Sequence, residues 1–294
     1  MKKKSLWIGL AAYVLWGVLP LYWHTLSAVN PLIILCNRIV WAAVFGLAVL
    51  AATHKLPLLK AAFCDRAVMR WLVPSAIIVV ANWGFYIWAV NSGHVLDSSL
   101  GYYMNPLVSF AIGVLVFREK CAPLDYVAVG VAAVGVAVST VRFGAFPYIA
   151  ITIAVSFAVY GAIHKRAHVE SIVGITLETI LISPLAILFF FLSDMGKATM
   201  ASLDAATVVL FLLAGPVTAV PLMLFAQGVN DLPLSTMGFL QFVQPTIMAL
   251  VGVLTGEAFT RERAVVFAFI FAALVVYTVG LVLRERRAHL HVAP

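Results

Sequence analysis

Two ionisable side chains interrupt otherwise apolar sequence. Arg38 follows Leu32-Ile-Ile-Leu-Cys-Asn37 and precedes Ile39-Val-Trp-Ala-Ala-Val44, and Glu178 lies between Ile175-Thr-Leu177 and Thr179-Ile-Leu-Ile182. A charge held in hydrocarbon costs at least about 2.5–3.5 kcal/mol even on insertion scales, so such residues are functional candidates by default. The chemistry open to them is ion recognition and proton uptake. Arg38 would contact an anionic substrate group, and Glu178 would take up a coupling proton. The alternative for each is local pairing with backbone groups, which would only order the fold.

A second set is aromatic: Tyr13, Trp16, Trp83, Trp88, Tyr102 and Tyr160. Tyr13 and Trp16 share a helical face at i, i+3. Trp and Tyr at the ends of a membrane span ordinarily anchor it at the interface, which is how Trp7, Tyr22, Trp23 and Trp71 read. Deeper rings line a polar cavity or pack as core, because a buried Tyr or Trp needs a partner for its polar handle. A third set is amides: Asn82, Asn91, Asn105, Gln241 and Gln244. Asn105-Pro106 and Gln244-Pro245 stand out, since proline frees a backbone carbonyl one turn back and kinks a helix there. The amide beside it then satisfies that carbonyl, reaches a ligand, or bonds a neighbouring helix as glue.

Enzyme signatures are missing. No G-x-x-x-x-G-K-[ST] phosphate loop occurs. His164 and His168 are spaced i, i+4, but Lys165-Arg166 stand where a zinc-binding HExxH needs its glutamate, and both histidines read as lying at a membrane edge. Cys36, Cys64 and Cys121 form no CxxC pair and read as small packing residues. The expectation is no catalytic residue, no metal and no cofactor.

The elements that must position these residues follow from composition. The chain has 294 residues, 64% of them hydrophobic and 11% charged, with a mean hydropathy of +1.07. Soluble domains carry roughly 25% charged residues, so the bilayer must be the solvent. The net charge of +7 does not indicate nucleic-acid binding, because the basic residues sit in short gaps between apolar runs. Met1-Lys-Lys-Lys4 and the run after it read as a first span and not as a cleaved signal, since Leu6–Trp23 is long, holds Pro20 and meets no A-x-A site.

A span needs about 20 mostly apolar residues. Such runs fall at 6–24, 32–52, 71–92, 97–117, 123–141, 147–164, 171–192, 207–229, 234–255 and 263–283. Fourteen Lys and Arg fall on the N-terminal side of the membrane and four on the other, with Arg38 inside a span. That bias places both termini in the cytoplasm.

The sequence also repeats weakly. Tyr13-Val-Leu-Trp-Gly17 resembles Phe157-Ala-Val-Tyr-Gly161, which makes Tyr160 the counterpart of Trp16. Ser98-Ser-Leu-Gly101 resembles Ser235-Thr-Met-Gly238, and Asn105-Pro106 with Gly113 resembles Gln244-Pro245 with Gly252. Arg38 and Glu178 are 140 positions apart, at matching places in the second and seventh spans. Five spans per repeat is odd, so the halves enter the membrane with opposite polarity, the architecture of alternating-access carriers. The expectation is an all-α integral membrane protein of ten transmembrane helices, as two inverted five-helix repeats over 1–143 and 144–294. The competing reading is a non-transporting membrane component that assembles with partners or modulates lipids.

Several stretches together resemble the RarD branch, the chloramphenicol-sensitivity branch, of the EamA-type drug/metabolite transporters. They are Ala11–Tyr22, Asn82-Trp83 with Ile87–Asn91, Ser99–Tyr102 with Asn105–Val108, and Leu234–Phe239 with Pro245-Thr246. The resemblance covers almost the whole chain. It implies a permease of the bacterial inner membrane moving an amino acid, metabolite or drug, often outward and proton-linked or facilitative. It implies signature positions at Tyr13, Trp16, Gly17, Pro20, Arg38, Trp88, Asn91, Tyr102, Asn105, Glu178, Ser235 and Gln241. The partners expected are the lipid bilayer and a small-molecule substrate, with the oligomeric state open.

Overall fold

A computed structural model describes residues 3–118, 123–144, 146–167, 169–231 and 240–290. Every regular element among them is a helix. They are α1 (Lys3–Thr25), α2 (Pro31–Ala52), α3 (Leu56–Cys64), α4 (Arg66–Asn91), α5 (Val95–Phe117), α6 (Pro123–Phe143), α7 (Tyr148–Ala167), α8 (Ser171–Leu192), α9 (Asp194–Ala201), α10 (Ala205–Asp231), α11 (Val243–Leu254) and α12 (Arg261–Leu290).

Eight of these, α1, α2, α4, α5, α6, α8, α10 and α12, are long and apolar enough to cross a membrane. The sixth and ninth expected spans are shorter apolar stretches, Tyr148–His164 in α7 and Val243–Leu254 in α11. In α7 the apolar run stops where His164-Lys165-Arg166 begins. α11 follows a turn at Gln241-Phe242, and residues 232–239, on which the ninth span was expected to start, lie outside the described set.

The two longest gaps between spans each hold a short helix, α3 and α9, that hydropathy does not register. α3 turns Ala62 inward and leaves Leu56, Leu58 and Phe63 exposed, the habit of a helix lying along an apolar surface. Caps set the starts of several helices. Asn30 accepts the amide of Leu32 ahead of Pro31, and Asp65 accepts that of Ala67. Asp204 accepts the amide of Thr207 at the head of α10, and the bonds from Thr207 hold its carboxyl below the ordinary range.

α2 and α8 run antiparallel. Leu50, late in α2, packs with Val173 and Leu177 early in α8, whereas Ile34 to Ile39 pack with Ile182, Ala186 and Phe190 late in α8. They approach closely because Gly46 meets Thr176, where a Cβ would lie 2.3 Å from the Thr176 Oγ1. α10 approaches α2 the same way, through Gly215 against the Trp41 carbonyl. The remaining large contacts join α6 to α12, α5 to α7 and α11, α1 to α10 and α11, and α4 to α7 and α8.

Candidate functional site

Arg38 is 6% exposed and lies among rings. Its Cζ sits 4.1 Å from the centroid of the Trp83 ring and 5.0 Å from that of Trp23, both cation–π distances. The phenols of Tyr102, Tyr86 and Tyr22 are within its electrostatic reach. Neither its Nε nor its Nη1 has a hydrogen-bond partner, and the buried Trp23 Nε1 has none either. Unpaired buried donors are rare enough in folded proteins to call for an explanation.

Trp23 corrects the sequence reading. It is not an interface anchor but is fully buried, at 0% exposed, against Arg38. Tyr22, also read as an anchor, donates its hydroxyl to the Leu210 carbonyl on α10. Trp7, the first residue of that set, is exposed.

Glu178 is wholly buried and fully engaged. Its Oε1 pairs with His164 Nε2 at 2.7 Å, and its Oε2 accepts from the Tyr160 hydroxyl at 3.2 Å. His164 is the partner that sequence reasoning assigned to a membrane edge. The signal for it was the i, i+4 spacing from Tyr160 to His164, which places both on one face of α7. Gly174 opens the space it fills, since a Cβ there would lie 2.7 Å from the His164 ring.

The two charges are joined by rings. Tyr86 packs on Tyr102 at 5.9 Å, Tyr102 on Phe157 at 6.3 Å, Phe157 on Tyr160 at 5.9 Å, and Tyr160 on His164 at 4.5 Å between centroids. Glu178 is two residues past the Gly46–Thr176 contact along α8, and Arg38 is eight residues before it along α2. With antiparallel helices and a rise of 1.5 Å per residue, they stand about 9 Å apart along the bundle.

The other candidates are dispersed. Tyr13 and Trp16 pack with Phe225, Leu240 and Val243 where α1, α10 and α11 meet. Gln241 and Gln244 flank that cluster in sequence, and the Gln244 amide reaches the Met248 sulfur at 3.9 Å. Asn82 fastens α4 to α7, donating to the Ile153 carbonyl and the Ser156 hydroxyl. Asn105 accepts the Ser109 hydroxyl at 3.4 Å. Trp88 is 37% exposed and stacks on His94. Both amide atoms of Asn91, at the end of α4, are buried without a partner. Cys36 is buried near Arg38, whereas Cys64 is exposed, against the packing role expected for it. Ser235 and Cys121 lie outside the described residues.

A second ionic group closes the end of the bundle where α4 finishes and α5 starts. Arg263 binds Asp97 with two nitrogens, at 3.3 Å and 2.9 Å. His94 Nδ1 lies 3.0 Å from the same carboxylate. Glu257, from the α11–α12 loop, accepts the amides of Val95 and Leu96 and so caps α5 from outside. At the opposite end Lys55 meets Glu170 at 2.5 Å, with both side chains about two-fifths exposed (41% and 42%).

Similarity places this helical bundle among transporters. Residues 3–141 match the EamA-like transporter family. The "Uncharacterized transporter YojE" of Bacillus subtilis is 38% identical over 98% of both chains. "Protein RarD" of Escherichia coli is 34% identical over 97% of both. The "Chloramphenicol-sensitive protein RarD" of Pseudomonas aeruginosa is 30% identical over 91% of both. A solved crystal structure, described only as "Crystal structure of protein", shares the fold, with a TM-score of 0.60 over 95% of this chain and 98% of its own at 21% identity.

The chain is therefore a multi-pass membrane transporter of the drug/metabolite class, not an enzyme; it sits in the lipid bilayer and handles small substrates. Within that class it belongs to the RarD branch of the EamA family.

Proposed function

We propose that the chain is a secondary carrier of the bacterial inner membrane, moving a small organic solute such as an amino acid, metabolite or drug by alternating access. The solute contacts Arg38, and Glu178 carries the coupling proton of an export cycle. The observation that carries this reading is the contrast between the two charges. Arg38 is buried with donors unused, while Glu178, about 9 Å further along the bundle, is held by the Tyr160 hydroxyl and the His164 ring.

Ten spans in two inverted repeats, 1–143 and 144–294, belong to the same proposal. Replacing each span by the one five further on carries the α5–α7 contact onto α11–α1, α4–α7 onto α10–α1, and α2–α10 onto α8–α4. The α2–α8, α5–α11 and α6–α12 contacts map onto themselves. This is the pattern that an axis in the membrane plane would give. The charge bias adds cytoplasmic termini, so Arg38 lies nearer the periplasm and Glu178 nearer the cytoplasm.

The test uses the purified protein. Thermal unfolding across amino acids, small aromatic metabolites and amphenicols should show stabilisation by a transported ligand, about 2.7 kcal/mol at a hundredfold excess over Kd. The same ligand should enter proteoliposomes by counterflow. No shift and no flux across such a panel would remove the carrier reading.

A further inference from the structure

We infer that the transported solute is an organic monocarboxylate with an apolar or aromatic body and no fixed positive charge. The inference rests on the carrier reading above and narrows its substrate.

The argument is a count of donors and acceptors. Around Arg38 the unsatisfied buried groups are Arg38 Nε, Arg38 Nη1 and Trp23 Nε1. All three are N–H donors and none can accept. They lie together, since the Trp23 ring is 5.0 Å from the Arg38 Cζ. A donor-only cluster is completed by a ligand whose head group only accepts, and the positive charge selects an anion. The indole faces of Trp23 and Trp83 crowd the guanidinium, so an acceptor approaches in the plane of its N–H bonds, where a planar carboxylate fits.

Charge balance excludes the neighbouring classes. No hydrogen bond, ion pair or ring contact among the described residues brings a second Lys or Arg to the cluster, so a phosphate dianion would be left half-neutralised. An amino acid would need an anionic partner for its ammonium group, and the phenols near Arg38 can accept a hydrogen bond but carry no charge. Glu178 is occupied by His164 and Tyr160, and the Tyr102 and Phe157 rings stand between. Those same aromatic surfaces suit an apolar body.

The test is calorimetric titration of the purified, lipid-reconstituted protein with benzoate, phenylacetate, hexanoate, benzylamine, phenylalanine and phenyl phosphate. At least one of the three carboxylates should bind, and the other probes should bind at least tenfold more weakly. Arg38→Gln should weaken carboxylate binding at least tenfold. Trp23→Phe keeps the ring and removes only the N–H donor, so it should weaken binding several-fold in a protein that still folds. Preferential binding of the amine, the amino acid or the phosphate would overturn the inference. So would carboxylate binding unchanged by both substitutions, or no carboxylate binding at all. Counterflow separates this from the carrier reading. Arg38-dependent carboxylate binding without flux leaves the inference standing and removes the carrier. Flux of a neutral or cationic solute by a protein that binds no carboxylate does the reverse.

Discussion

Arg38 begins about 10 Å along α2 from Pro31 at 1.5 Å per residue, yet its guanidinium meets Trp23, two residues before the end of α1. Helical side chains lean toward the N-terminus, and a long arginine extends that lean by several ångström. The charge therefore sits nearer the α1–α2 turn than its Cα does. The depth of Arg38 is legible in its apolar flanks but this partner is not, because Trp23 at the end of an apolar run looks like any interface tryptophan. His164 was hidden for a related reason. Its partner lies 14 residues away on the next helix, and the i, i+4 spacing to Tyr160 marks a shared face of α7 without naming that partner. Glu178 was legible because a carboxylate in an apolar run is conspicuous by itself. The prediction at this scale concerns its proton. Glu178→Gln cannot ionise, so it should retain counterflow while losing accumulation driven by a pH gradient. His164→Gln should change the pH dependence of transport. Tyr160→Phe, which removes one long bond worth about 1 kcal/mol, should slow transport by less than tenfold. Gradient-driven accumulation surviving in Glu178→Gln would assign the coupling elsewhere.

At the scale of elements, hydropathy placed eight long helices and the apolar parts of two more, since a run of about 20 apolar residues has few alternatives to a span. It passed over α3 and α9, whose mixed composition averages out in a window built for spans. It also said nothing about which helices touch. Those contacts are set by small residues at crossing points, and a glycine in sequence does not announce what it faces. Gly46 faces Thr176 on α8, about 3 Å beyond Glu178 and about 12 Å beyond Arg38 along the bundle. Gly46→Ala would place a methyl group 2.3 Å from the Thr176 hydroxyl oxygen. Overpacking of this kind costs about 1–3 kcal/mol. The variant should unfold at lower temperature in detergent, with transport reduced. Adding Thr176→Ala, which removes the hydroxyl, should restore part of the loss. A double variant no more stable than Gly46→Ala would mean that the α2–α8 contact does not depend on this crossing.

For the whole molecule, the tie at one end of the bundle assigns a resting state. At the end read as periplasmic, Arg263 holds Asp97 through two nitrogens, with side chains 20% and 22% exposed, and Glu257 caps α5. Asp97 and α5 belong to the first proposed repeat, while Glu257 and Arg263 belong to the second, so these bonds join the halves across the opening. At the other end one pair among the described residues that joins the halves is Lys55–Glu170, about two-fifths exposed, and exposed pairs contribute about 0–1 kcal/mol. A bidentate arginine–carboxylate bond is stronger and does not survive replacement by a point charge. The protein should therefore rest closed toward the periplasm. Cys36 is a native reporter: it is buried two residues before Arg38, while Cys64 and Cys121 fall on the side read as cytoplasmic. In intact cells a membrane-impermeant maleimide should label wild-type protein slowly. Loss of a charged hydrogen bond worth about 1.5 kcal/mol or more shifts a two-state equilibrium about tenfold, so Arg263→Ala should label at Cys36 about tenfold faster. Arg263→Lys should resemble Arg263→Ala, because lysine cannot hold both carboxylate oxygens. Lys55→Ala should leave the rate unchanged. Equal labelling of Arg263→Ala and wild type would show that the Asp97–Arg263 bond does not hold the periplasmic end shut. Faster labelling in Lys55→Ala instead would place the closure at the opposite face.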